Sequence, residues 1–352
     1  MISLGNGDGT VQPQPVPPSY VVGSQPLSML GTDVNGDGIP DIVTGNFSSN
    51  DVSVLLGNNN GTFQTQQRFT VGTNPWAVAT ADVNGDGFRD LVAANSSSND
   101  ISVLLGNGNG TFQSQQRFVT GTRPRALAIA DLNGDGFADI GVANSSSNDV
   151  SVLLGNGNGT YQPEQRFASG SGPAAIVLAD FNGDGFLDIV TANNNASTVS
   201  VLLGNGNGSF QPQQAFPTAS SNPDSIAVSD VNGDGFADIV VALSTSAVSV
   251  LLGNGNGTFQ AQQRFAAGFG SNSVAVVDVD ADGNRDIVTA NRVTSDFSVL
   301  LGNGSGNFQP QQRFVAGNSP RAMAVIDVNG DGKPDVITAN SNANSVSVVL
   351  HR

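Results

Sequence analysis

The hydrophobic positions along the chain come in short runs. Stretches of four to eight β-prone residues alternate with clusters of Gly, Asn, Asp and Ser, and no stretch sustains an apolar stripe at helical period. In one unit, ALAIAD (126–131), ADIGVAN (138–144), VSVLLG (150–155) and TYQPEQRF (160–167) read as four strands. They are joined by an acidic turn, the polar loop SSSND and the turn NGNG at 156–159. Asn-Gly and Asp-Gly between apolar runs are hairpin signals, because these residues tolerate the positive φ that a tight turn needs.

The unit is copied along the chain. SVLLGNGNGTFQ at 249–260 recurs with few changes at 53–64, 102–113, 151–162, 200–211 and 298–309. An acidic nonapeptide begins at Asp33, Asp82, Asp131, Asp180, Asp230, Asp278 and Asp327, every 48 to 50 residues. Seven such units nearly exhaust the 352 residues, so 1–352 is expected to form one domain. Four strands per unit, seven times over, predict an all-β chain folded as a seven-bladed β-propeller. A linear β-solenoid is the weaker alternative, because its units are normally shorter. The last copy stops after VSVVL (346–350), three strands into its unit, while GNGDGTVQPQ (5–14) matches the segment that leads into the fourth strand elsewhere. Residues 1–16 are therefore expected to complete the last blade and close the ring.

Composition narrows the chemistry. Of 29 acidic residues against 13 basic ones, all but Glu164 are Asp, and the formal charge is −16. A pI near 4.1 argues against a nucleic-acid partner, which needs a basic patch. With no Cys, a single His (His351) and a single Glu, thiolate chemistry, Ser-His-Asp triads and multi-His metal sites have nothing to work with. No apolar run approaches the ~20 residues of a membrane helix. No charged-then-apolar leader follows Met1, so a secretion signal is expected to be missing from this chain.

The nonapeptides explain the Asp bias. They read DVNGDGIPD, DVNGDGFRD, DLNGDGFAD, DFNGDGFLD, DVNGDGFAD, DVDADGNRD and DVNGDGKPD. Positions 1, 5 and 9 are always Asp: Asp33, Asp37 and Asp41; Asp82, Asp86 and Asp90; Asp131, Asp135 and Asp139; Asp180, Asp184 and Asp188; Asp230, Asp234 and Asp238; Asp278, Asp282 and Asp286; Asp327, Asp331 and Asp335. Position 3 is Asn35, Asn84, Asn133, Asn182, Asn232 and Asn329, with Asp280 in the sixth copy. Position 7 varies (Ile39, Phe88, Phe137, Phe186, Phe236, Asn284, Lys333), which suits a backbone carbonyl donor. Hard oxygens at 1, 3, 5 and 9, a carbonyl at 7 and a Gly bend at 6 describe a loop wrapped around Ca²⁺. A plain hairpin turn accounts for the glycines but not for three converging carboxylates, which repel unless a cation lies between them. An EF-hand would need flanking helices and a Glu at position 12, where strand residues such as Thr44 and Ala93 stand instead. Up to seven Ca²⁺ ions are expected, one per blade, taking the formal charge from −16 to −2.

These D-x-[ND]-x-D-G-x-x-D loops between short strands resemble the FG-GAP or VCBS repeats, seven-bladed propellers found at the head of integrin α-chains and in many bacterial surface proteins. The resemblance covers essentially the whole chain. It implies that the metal sits in the hairpin between the first and second strands of each blade, on the lower face. Carried over, Asp131, Asn133, Asp135 and Asp139 would be side-chain ligands and Phe137 a carbonyl ligand, with the same positions serving in each other copy. Asp280 and Ala281 depart from the pattern, and four carboxylates should make the sixth site the tightest or least selective. The presence of the loop in all seven copies is closer to the bacterial repeat proteins than to integrins.

The remaining loops carry the residues that break the repeat: Trp76, Arg123, Arg125 and Arg321. A loop Trp beside Asn, Ser and Asp could stack on a sugar. The preferred reading is that Trp76 fills space between adjacent blades and that the arginines are surface charges bonding nearby carbonyls. Phe63, Phe112, Tyr161, Phe210, Phe259 and Phe308, one per copy, are expected in the core. The sequence fits a non-catalytic binding or adhesion module, monomeric, extracellular or at the cell surface, with a protein or glycan ligand on the face opposite the calcium loops. Alternatives are a lectin similar to the fungal N-acetylglucosamine-binding propellers, and a symmetric scaffold without a ligand. A sugar lyase or dehydratase fits least, because no unique polar cluster is evident to break the repeat.

Overall fold

A computed structural model describes residues 17–218 and 222–351. They form seven antiparallel sheets of four strands each. Blade three is representative: Pro124–Ala130, Asp139–Asn144, Asp149–Leu153 and Gln165–Ala168 pair in sequence order. The first strands of neighbouring blades touch all the way around, including that of blade seven (Pro320–Ile326) against that of blade one (Pro26–Thr32). A closed ring around a central axis follows, and the chain is a seven-bladed propeller.

Burial follows from this arrangement. The second and third strands are buried almost throughout, because each blade has a neighbour on both faces and has no solvent side at mid-height. Both faces of Asp139–Asn144 must then be apolar or hydrogen-bonded, which is why DIGVAN lacks a polar/apolar alternation. The core is divided among the seams between blades. One cluster joins Ile42, Leu55 and Phe63 of blade one to Val328, Ile337 and Val346 of blade seven. Each fully buried aliphatic side chain contributes about 1.5–3 kcal/mol, so the seams hold the ring together.

The expected core aromatics lie at these seams. Outer-strand rings meet the turn aromatic of the next blade edge to face, as in Phe69–Phe112, Phe118–Tyr161 and Phe167–Phe210, with centroids 5.1 to 5.2 Å apart. Such pairs add about 0.5–1.5 kcal/mol beyond their area. The fourth strand is shorter than the sequence reading of 160–167: after the NGNG turn the chain makes one isolated bridge, Gly155 to Tyr161, before the strand begins at Gln165. The intervening residues carry the chain from the turn to the blade's outer edge.

The ring closes through strand Ser19–Val21, which pairs with Ser345–Val349 of blade seven. The Val22 amide donates to the Asn344 carbonyl at 3.0 Å, and the Tyr20 ring meets Phe63 of blade one at 5.5 Å. Residues 1–16, where the sequence reading placed the closing strand, lie outside the described residues.

Candidate functional site

The acidic loops join the first and second strands of each blade, and the NGNG turns lie beside them on the same face. Phe88 shows this directly, since a Cβ added to Gly108 of the turn would stand 2.4 Å from its ring. Phe137, Phe186 and Phe236 cover Gly157, Gly206 and Gly255 in the same way. Position 7 of the loop thus has a side-chain role that the sequence reading left out. Its Phe rings are about half exposed, and they roof the turn glycines, which themselves have positive φ.

Within each loop the backbone wraps around the first Asp. In blade one the Gly36 and Gly38 amides each donate to the Asp33 carboxylate at 2.7 Å. Asn35 Nδ2 donates to Asp37 Oδ2 at 2.9 Å, and the Ile39 amide donates to Asp37 Oδ1 at 2.8 Å. The ninth residue ties the loop to the rest of the blade. Asp41 accepts from the Val34 amide at 2.9 Å and from the Gly57 amide, beyond the third strand, at 2.8 Å. Burial, opposed by these two bonds and reinforced by Asp37 and Asp33, pushes the Asp41 carboxyl up to about 6. The equivalent Asp90, Asp139, Asp188, Asp238, Asp286 and Asp335 are raised for the same reason. Each buried acid therefore sits where a cation would be favoured over a bare negative charge.

Blade six has the arrangement most open to a metal. One carboxylate oxygen each from Asp278, Asp280 and Asp286 lies within 4.8 Å of the others. Elsewhere the first Asp receives a bond from the amide of the glycine at position 4, such as Gly134 to Asp131 at 2.7 Å. In blade six that position is Ala281, at φ 61°, and the buried Asp278 Oδ1 has no hydrogen-bond partner among the described residues. An orphaned, buried carboxylate oxygen beside two further carboxylates is a donor set that fits a hard divalent cation. Asp282 stands outside this group and instead bonds the Asn284 amide at 2.8 Å.

The loops also link blades. The Val83 carbonyl, at position 2 of the second loop, accepts from the Gly159 amide of the next blade's turn at 3.2 Å. Leu132 and Gly208, Phe181 and Gly257, Val231 and Gly306 repeat the link, and Val328 to Gly61 carries it across the closure. Anything that fixes an acidic loop therefore also fixes a seam.

At the other end of the ring, symmetry fails at the second residue of each first strand. The seven residues are Leu27, Trp76, Arg125, Ala174, Asp224, Asn272 and Arg321. Arg125 Nη2 lies 3.0 Å from Asp224 Oδ1, an ion pair between blades three and five. Asp224 also accepts from Asn194 Nδ2 at 2.8 Å, from Ser244 Oγ at 2.7 Å and from Asn272 Nδ2. The Trp76 ring takes the guanidinium of Arg125 at 4.8 Å, of Arg321 at 5.5 Å and of Arg123 at 5.8 Å from its centroid. It meets Phe47 of blade one edge to face, centroids 5.4 Å apart.

These contacts revise the sequence reading. Trp76 does reach the adjacent blade through Phe47, but its ring belongs to the axial cluster. Arg125 is bonded to a carboxylate and largely buried, so it is not a surface charge on a carbonyl. Burial also lowers Arg321, to about 10, with Asp224 opposing and Arg125 and Arg292 adding to the shift. Arg123, in contrast, is exposed. A polar cluster unique to this end of the ring is therefore present, and Asp224, Asn272 and Arg292 are members that the sequence reading missed. Aligning the second residue of the first strand in each copy would have found the first two.

Among solved structures, the chain is similar to an Agrocybe aegerita lectin described in terms of specific recognition of non-reducing terminal N-acetylglucosamine. The two share 22% identity over 90% of this chain and 86% of the lectin, with a TM-score of 0.59. BBS1N, in a complex with ARL6DN, shares 12% identity over 95% of this chain and 94% of its own, with a TM-score of 0.66. A Bacteroides fragilis protein named for 6-phosphogluconolactonase shares 17% identity over 84% and 86%, with a TM-score of 0.65. At these identities the likeness is one of fold. Comparison with curated protein sequences gave no match. The FG-GAP-like repeat model matches overlapping segments at 33–93, 82–142, 131–191, 180–241, 230–289 and 278–338, and the chain belongs to that family.

Proposed function

We propose that this propeller is a calcium-stabilised, non-catalytic recognition module that works outside the cell or at its surface and binds ligand at the end of the ring opposite the acidic loops. The observation that carries this reading is the contrast between the two ends. One end repeats the same acidic loop seven times, as a structural device would. The other places six different residue types at seven equivalent positions, from Leu27 to Arg321, as a recognition surface would. A Ca²⁺ ion in each loop would take its oxygens from positions 1, 3, 5 and 9 and from the carbonyl at 7, neutralise the converging carboxylates and stiffen the carbonyl that bonds the next blade.

A glycan ligand is the more specific reading. It draws on Trp76 at the axial end and on the fold shared with the Agrocybe aegerita lectin. A glycan array probed with calcium-loaded protein tests it, with Trp76→Ala as the control. Hits that the variant loses support a lectin. Hits that the variant retains place recognition elsewhere on the molecule and overturn the axial assignment.

A further inference from the structure

The axial cluster has more positive charge than it can satisfy. Four guanidiniums, those of Arg123, Arg125, Arg292 and Arg321, gather around Trp76 and one carboxylate, Asp224, which already accepts four hydrogen bonds. Arg292 spends its Nε on Asn272 Oδ1 at 3.1 Å. Arg125 Nε is buried without a partner among the described residues, and no carboxylate there lies within ion-pair distance of Arg321 or Arg123. Arg125 and Arg321 are largely buried, and a purely structural plug would balance them, because desolvated like charges repel.

The space beside the cluster indicates what could balance them. Arg123 and Arg125 form one wall of a concavity of about 450 Å³ between blades three and four. The remaining walls come from Ser145, Ser146, Asn148, Ser171, Asn194 and Asn195. The guanidinium fork matches a carboxylate, and a wall of hydroxyls and amides offers donors and acceptors to a polyhydroxylated body. The volume falls within the range of small-ligand sites. We infer that this concavity binds an acidic sugar, its carboxylate on Arg123 and Arg125 and its hydroxyls on the Ser and Asn wall. The inference rests on the recognition reading above and names the ligand class.

Trp76 is the chain's single tryptophan and lies against both arginines, so its fluorescence reports on the site directly. The experiment titrates calcium-loaded protein at low ionic strength, where charge pairing is least screened. The probes are glucuronate, glucose and inorganic phosphate. A saturable change with glucuronate, at least about tenfold weaker with glucose, is expected. Arg123→Gln, an exposed substitution that leaves the Arg125–Asp224 pair in place, should weaken glucuronate about tenfold with an unchanged melting temperature. Glucose binding as tightly as glucuronate, or an Arg123→Gln titration identical to wild type, would overturn the carboxylate assignment. Phosphate binding as tightly as glucuronate would overturn the sugar assignment, because the Ser and Asn wall would then add nothing. Silence with all three probes, alongside array hits that depend on Trp76, defeats only this inference. Silence in both experiments defeats the recognition reading as well.

Discussion

Arg125 and Asp224 are 99 residues and two blades apart, yet their guanidinium and carboxylate meet at 3.0 Å. The blade between them carries Ala174 at the equivalent position, a side chain short enough to be spanned. The pair braces blade three against blade five across the axis, as the Arg321–Trp76 contact links blades seven and two. Asp224→Ala should therefore do more than remove a contact: it strands a largely buried Arg125 and releases Asn194, Ser244 and Asn272. A loss of about 3 kcal/mol is expected in urea unfolding. Adding Arg125→Met should restore part of it, since the uncompensated charge then disappears. A single variant as stable as wild type would show that the brace carries no stability.

Metal removal provides the second prediction. At ~1 mM free Ca²⁺ and a Kd of about 10⁻⁴ M per loop, each independent site stabilises the fold by about 1.4 kcal/mol, and seven by roughly 10 kcal/mol. Chelation should therefore lower the melting temperature sharply, and restoring calcium should reverse the change. The loss should register at the seams, because in five of the loops the second residue's carbonyl bonds the next blade's turn. Hydrogen exchange at the Gly159 and Gly208 amides is the local readout. A melt indifferent to chelator, with no calcium found by elemental analysis, would remove the metal from the account.

The fold was legible because the repeat multiplies a weak signal. One ALAIAD run could be a strand or part of a buried helix, but seven runs in phase with seven Asp-rich turns admit few architectures. The acidic loops were legible for the same reason. The axial cluster was not, because Trp76, Arg125, Asp224 and Arg321 lie in four different copies and meet only when the ring closes. Each looks like a private deviation of its own loop. Phe88 and its equivalents were half legible: the variability of position 7 pointed to a main-chain role, while the packing of four Phe rings on turn glycines depends on two hairpins lying side by side.

The sixth loop should bind calcium first. Asp278, Asp280 and Asp286 already converge, and Asp278 Oδ1 is free of the amide bond that the other copies make. Asp280→Asn restores the common sequence at position 3 and removes one charge. In a calcium titration it should abolish the tightest class of sites, weakening it about tenfold, while the other loops keep their affinity. Asn133→Asp in blade three should add a second tight site. If both variants titrate like wild type, the extra carboxylate has no bearing on affinity.

Ring closure gives the last prediction. Ser19–Val21 is only three residues long, but it covers the outer edge of Ser345–Val349, inserts Tyr20 against Phe63 of blade one and places Val22 in the cluster shared by blades seven and one. Removing it exposes a strand edge and opens one side of that seam, whereas every other seam keeps both its walls. Tyr20→Ala probes the seam without altering the strand's hydrogen bonds and should cost about 3 kcal/mol, the usual loss for a large aromatic truncated in a core, less what its partial exposure spares. Phe118→Ala, at a seam far from the closure, breaks an edge-to-face pair of the same kind with Tyr161. If opening begins where Ser19–Val21 is held to blade seven by strand pairing alone, Tyr20→Ala should raise the unfolding rate more than Phe118→Ala at equal loss of stability, because only in that blade does no chain connection join the third strand to the fourth. Equal unfolding rates for the two variants would mean that the ring yields at no preferred seam.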